Sequence, residues 1–223
     1  MKTSFKIFFI ATILYYISPT LVFADGDPFE GIITYKITYS TSKSSEDQMV
    51  MSVMIKGSKS KTEMDYEILG KDIEIKDYAD KSKIHLFRLM EGQKCAMKLT
   101  PAEIQKDMEK APQANVKITR KTKTIAGYKC KKAIVTTDQD GVKTAYEVWY
   151  TSEIGSKDGN FDNPLFKDID GFLMEFQIKT SEITMKYTVS SVEKKSVSAE
   201  EFKIPAEYIL MTKEELKSKY GIH

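Results

Sequence analysis

Cys95, Cys130, His85 and His223 are the only cysteines and histidines in the 223 residues. A structural or catalytic zinc site draws on more of these ligands than the chain can bring to one place. Cys130 lies in "TIAGYKCKKAIV", residues 124–135, between Lys129 and Lys131 in an alternating stretch. A reactive thiolate needs a helix N-terminus, a strained turn or a partnered base, and no such signal flanks it, although a Cys130–His85 pair is formally open. Three readings stand side by side: a Cys95–Cys130 disulfide, two buried structural thiols, or reactive chemistry at Cys130. An even cysteine count in an exported chain favours the bridge, which would add roughly 4 kcal/mol in the chain-entropy picture.

The loop "DGNFDN", 158–163, sets Asp158, Asn160 and Asp162 at alternate positions, a spacing of oxygens that hard cations use. It departs from the calcium-loop pattern, with Asn163 where glycine belongs and Ile169 where the bidentate glutamate belongs. An Asx-rich turn is the simpler reading. Acids are plentiful enough for a glycosidase pair, but no spacing singles one out. Nucleophile-elbow, phosphate-loop, zinc-protease and dinucleotide patterns are lacking. The expectation is a protein without catalytic residues, cofactor or metal.

The first residues address the compartment. Lys2 and Lys6 precede an apolar run from Ile7 to Ile17, and "SPTLVFA" ends with small residues at the positions a signal peptidase reads. Residues 1–24 are therefore expected to be a cleaved secretory signal, leaving a soluble periplasmic or extracellular domain over 25–223. The full chain has 34 basic and 32 acidic residues, and both Lys2 and Lys6 leave with the signal, so the mature charge balances at 32 of each. That balance argues against a nucleic-acid binder, which needs a basic footprint.

The elements that must position any site are mostly strands. Period-two alternation runs through "FEGIITYKITYS", "KDIEIKDYA", "KSKIHLFRLM", "AYEVWYT", "FLMEFQIKT" and "ITMKYTV", separated by polar turns, with Asp140-Gly141 as a hairpin signal. "TPAEIQKDMEKA" reads as a helix with Thr100, Pro101 and Glu103 in a capping box, and Thr212 with Glu215 cap a short helix at 213–219. The expectation is one mainly β domain of about ten to twelve antiparallel strands with two or three short helices. Ten methionines remain after cleavage, several on strand faces (Met49, Met51, Met54, Met64, Met174, Met185). Met either fills a core or lines a surface that adapts to varied apolar ligands.

The stretches "TIAGYKCKKAIV", "AYEVWYTSEIG", "FKDIDGFLMEFQI" and "EFKIPAEYILMT" resemble a family of secreted bacterial proteins, a domain of unknown function related to the GLPGLI proteins. That group in turn is similar to the lipoprotein carriers LolA, LolB and LppX. The likeness covers about 29–212, and where GLPGLI proteins carry their signature this chain reads "DIDGFLMEF", keeping Gly171 and the apolar run. The resemblance implies a strongly curved LolA-like half-barrel whose concave face is covered by helices and holds lipid chains. Carriers of that kind fasten the lid with a basic residue, and no position here matches it.

The functional expectation is a non-catalytic protein that binds a hydrophobic ligand, a lipid or a lipidated partner. Alternation nominates Ile33, Tyr35, Ile37, Met51, Val53, Phe172, Met174 and Phe176 as cavity residues. The competing expectations are an envelope interaction or stress protein whose core fills itself, with function on rim loops, and, less favoured, a hydrolase. The sequence names no protein partner.

Overall fold

The computed structural model describes residues 28–41, 47–66, 70–89, 92–139, 141–155, 157–179 and 183–220. The expected signal segment, His223 and Asp140 lie outside them. Alternating β-branched and aromatic residues form six strands in succession: β1 (Gly31–Thr41), β2 (Asp47–Lys56), β3 (Lys59–Tyr66), β4 (Gly70–Asp77), β5 (Ser82–Arg88) and β6 (Lys94–Leu99). Helix α1 (Pro101–Lys110) follows, with the expected capping box: the Glu103 amide donates to Thr100 Oγ1 and the Thr100 amide to Glu103 Oε2, 2.8 Å away. Five more strands come next: β7 (Ala114–Ile125), β8 (Tyr128–Gln139), β9 (Val142–Thr151), β10 (Phe172–Lys179) and β11 (Ile183–Lys194). A short β12 (Ile209–Met211) and helix α2 (Lys213–Tyr220) end the described chain, and Thr212 and Glu215 cap α2 reciprocally.

All twelve strands belong to one curved open sheet in the order β12-β6-β5-β4-β3-β2-β1-β11-β10-β9-β8-β7. Two antiparallel meanders, β1–β6 and β7–β11, meet where β1 pairs with β11; only β12 runs parallel to its neighbour, β6. Two bulges lie near the seam. Ser190 is the extra residue of β11 opposite Thr34 and Tyr35, and Met174 is the extra residue of β10 opposite β9. Bulges bend a strand and sharpen its twist, which serves a sheet that must curl.

The long β9–β10 connection, 152–171, lies across one face, here called inner. On the outer face, the stretch from Val197 to Tyr208 covers Ile73, Ile75, Leu86 and Ala96. Glu30 anchors the start of that stretch by accepting from the Lys56 amine and the Val197 amide, both at 2.7 Å.

The Cys95–Cys130 bridge is a correction: both thiols are free and buried. Cys95 is on β6 and Cys130 on β8, with β5, β4, β3, β2, β1, β11, β10 and β9 between them in the sheet. Cys95 packs with Met211 and Leu216, whereas Cys130 belongs to the central cluster of Ile33, Tyr35 and Ile37. Burial pushes both thiols up from their ordinary pKa.

Candidate functional site: a cavity under the β9–β10 loop

Register carries the inner face from strand to strand. Tyr35 opposes Met51 and Ile33 opposes Val53, and Met51, Val53 and Ile55 in turn oppose Met64, Thr62 and Ser60. Beyond β3 the same face becomes charged: Glu74 and Lys76 on β4, then Lys83 and His85 on β5. The inner face is thus apolar near the β1–β11 seam and ionic over β4 and β5.

Aromatic side chains organise the apolar half. Phe176 stacks on Tyr187 with ring centres 4.6 Å apart and planes 3° from parallel, and meets Phe166 and Tyr35 edge-on. The buried Tyr35 hydroxyl donates to the Leu173 carbonyl at the β10 bulge. Burial drives the Tyr35 phenol well above its usual pKa, so it stays a neutral donor.

The loop 152–171 roofs this half. Phe166 and Ile169 are fully buried against Ala133, Val135 and Val148. Asn160 donates its amide to the carbonyls of Ile169 and Gly171, at 2.9 and 3.0 Å, and so closes the loop on itself. Gly171 approaches the sheet too closely for a side chain: a Cβ there would stand 2.6 Å from the Thr151 carbonyl oxygen. At the far end of the loop, Asp162 lies 2.7 Å from the Lys76 amine and 3.0 Å from that of Lys83. Burial alone would raise the Asp162 carboxyl, but the two lysines outweigh it and hold the pKa below the ordinary value. Burial works to lower Lys83, and Glu74 and Asp162 overcome it and raise the amine. Phe161 meets Tyr78 edge-on beside this junction, and burial pushes the Tyr78 phenol up to about 12.

Between roof and sheet is a cavity of about 610 Å³. Its floor is Tyr35, Met51, Val53 and Ile55; Phe172, Leu173, Phe176 and Tyr187 form one wall; Ser60, Thr62, Glu74 and Lys76 form the other. Pro28 and Phe29 stand at its edge, with Ile154 and Asp162 above. The size falls within the range of small-molecule sites, and an apolar floor with few polar groups is their usual chemistry. A second hollow of about 810 Å³ lies further along the inner face, among Tyr66, Phe87, Met97 and Leu99, with Leu216 of α2. His85 contacts both Asp72 oxygens there, at 3.0 and 3.1 Å, and the Lys213–Asp107 ion pair links α2 to α1 at its rim.

Of the eight residues nominated from alternation, Tyr35, Met51, Val53, Phe172 and Phe176 line the 610 Å³ cavity. Ile33, Ile37 and Met174 are fully buried in the cluster beneath it. The bulge explains Met174: one extra residue lets Leu173 and Met174 both turn into the interior, and Leu173 takes the place on the cavity wall. Sequence reasoning missed the polar wall and the roof. Asp162 stood in plain view within "DGNFDN", but as a candidate cation ligand; its carboxylate pins the loop to Lys76 and Lys83 of the sheet, and the Asn160 amide closes the loop on itself. His85 is engaged with Asp72, and the Cys130 thiol donates to the Tyr128 carbonyl at 3.4 Å, so the formal Cys130–His85 pair is not assembled.

Fold and cavity define a curved, open, antiparallel β-sheet protein with a loop-roofed apolar hollow. The chain belongs to the DUF4412 family, a domain of unknown function whose model matches residues 29–163. Among solved structures, PNGF-II shares the fold at a TM-score of 0.53 and 16% identity over 85% of this chain; the match spans 32% of the PNGF-II chain. The lipoprotein LppX of Mycobacterium tuberculosis aligns over 76% of this chain and 89% of its own, at 12% identity and a TM-score of 0.38. A LolA superfamily protein from Nitrosomonas europaea aligns over 79% and 90%, at 8% identity and a TM-score of 0.36. No curated protein matches the sequence.

Proposed function

We propose that this is an exported, non-catalytic protein that holds a hydrophobic ligand, a lipid or a lipidated partner, in the cavity under the β9–β10 loop. One observation carries the reading: an apolar floor and aromatic wall stay open beneath a roof whose Phe166 and Ile169 are fully buried and whose Asp162 is ion-paired. An apolar hollow left empty forfeits dispersion contacts along its whole lining. Phe172 and Phe176 would flank the apolar part of the ligand, and Ser60 and Thr62 would face its polar end. Export rests on the Lys2–Ala24 segment, read as a cleaved signal. Kinship with the GLPGLI proteins and the lipoprotein carriers belongs to the same reading, resting on the "IAGYKCKK" and "VWYT" stretches.

Native mass spectrometry of the protein purified without detergent from its own envelope tests it, together with displacement of the apolar dye N-phenyl-1-naphthylamine. Either a lipid-sized adduct or saturable dye binding is expected, and Thr62→Trp and Val53→Trp, which fill the hollow without adding charge, should reduce it at least tenfold. A bare protein that ignores the dye, or two folded filling variants that bind undiminished, would overturn it.

A further inference from the structure

Whole-chain neutrality conceals a segregated charge. Residues 114–137 contain Lys117, Arg120, Lys121, Lys123, Lys129, Lys131 and Lys132 and no acid at all. They build the β7–β8 hairpin, and β7 is an edge of the sheet. Lys123 and Lys132 are spoken for: they pair with Glu175 and Glu147 and lie over the Trp149 ring at 4.4 and 5.8 Å. The other five are exposed and form no salt bridge among the described residues. Ile118 stands beside them, 49% exposed.

A lysine on an edge strand commonly guards against strand-to-strand association. That explains one or two charges on β7, but not Lys129 and Lys131, which lie on β8, inside the edge. The geometry also discourages an added strand. The β7–β8 register breaks between Ile118 and Thr122, where Thr119 turns its hydroxyl to the Lys132 carbonyl at 3.0 Å. The break interrupts the straight run of backbone groups that a peptide would pair with, and it falls at Arg120 and Lys121. What such a hairpin presents is positive charge on both faces, with Lys131 on the face of Ile118 and Lys117 on the other, so that the edge as a whole, rather than one face, complements an extended negative plane.

We infer that the β7–β8 hairpin docks the protein on an anionic phospholipid surface through Lys117, Arg120, Lys121, Lys129 and Lys131, with Ile118 entering the headgroup layer. Each basic residue near such a surface strengthens binding roughly fivefold, and the attraction decays within a Debye length. The inference stands apart from the cavity and survives if the cavity proves empty.

The test is vesicle co-sedimentation of the mature chain, with phosphatidylglycerol–phosphatidylcholine vesicles and phosphatidylcholine vesicles compared at low salt and at ~0.5 M salt. Binding to the mixed vesicles alone is expected, weakened at least tenfold by salt. Replacing all five residues by Gln should weaken it at least a hundredfold, while the control Lys59→Gln, Lys98→Gln, Lys186→Gln, Lys194→Gln, Lys203→Gln retains most of it. Thermal melting of both variants separates loss of docking from loss of fold. No binding to mixed vesicles, equal binding to neutral ones, or equal loss in both variants would overturn the inference. So would a protein that ignores vesicles and binds polyglutamate beads, which would make the partner an acidic polypeptide.

Discussion

Asp162 and Lys76 meet at 2.7 Å across the inner face of the sheet, although 86 positions separate them in the chain. Lys83 completes the junction from the neighbouring strand. The loop that carries Asp162 leaves the sheet at β9, so this contact ties one meander to the other over the cavity.

Replacing Asp162 by Asn should destabilise the protein by about 3 kcal/mol, because it leaves buried amines facing Glu74 alone. Each lysine side chain keeps 17% of its surface exposed and can reach water, which sets the cost at the low end for a broken buried pair. The melting temperature should fall by about 6–12 °C. A melt unchanged within error would show that the junction contributes nothing.

The same junction fixes a pH window. Asp162 titrates below its ordinary range when folded, so its contribution is complete above the unfolded carboxylate value, about 3.9, and is lost as pH falls through the lower folded value. Lys83 titrates above its ordinary range, so its contribution is complete below about 10.4 and is lost as pH rises through the higher folded value. Denaturant midpoints should therefore show an acid loss below about pH 4 and an alkaline loss above about pH 10 that Asp162→Asn diminishes. Identical profiles for the two proteins would refute the assignment.

The β7–β8 turn places Ala126 at φ 47° and Gly127 at φ 87°, the left-handed pair of a tight hairpin. Alanine is poorly suited to that region, whereas Asn-Gly is the preferred sequence. Ala126→Asn should stabilise the protein by about 0.5–1 kcal/mol, measurable in urea.

Cys95 and Cys130 should resist iodoacetamide in the native protein and react together on unfolding, since both are buried and their thiols are pushed up in pKa. The denatured, unreduced mass should match two free thiols. A mass two hydrogens lighter would restore the bridge.

Local signals carried well from sequence to structure, and long-range ones did not. Thr100 and Thr212 announce their helices because a cap is a matter of three residues. Alternation located the strands, yet it cannot say which face is inner. In β4 the isoleucines at 73 and 75 point to the outer face, beneath Val197 and Phe202, and Glu74 and Lys76 take the cavity side. The β10 bulge is invisible to a period of two, which is why Met174 was nominated in place of Leu173. The role of Asp162 depends on lysines of β4 and β5, which β3, β2, β1 and β11 separate from β10, the strand its loop leads into. The basic hairpin was averaged away by counting charge over the whole chain.

The seam between β1 and β11 also has a temporal side. The first strand cannot acquire its second neighbour until β11 has been delivered, so among the antiparallel pairings the one at the middle of the sheet comes late, and only the short parallel β12–β6 pairing draws on later residues. Contacts of such long sequence separation slow folding, because much of the chain must be ordered before they form. Until then β1 keeps an open edge along Ile33, Tyr35 and Ile37, the most apolar strand of the inner face. A chain stopped at residue 163, where the family match ends, lacks β10 and β11 and would keep that edge indefinitely. Such a fragment should self-associate, and a holding chaperone would find its principal client surface there.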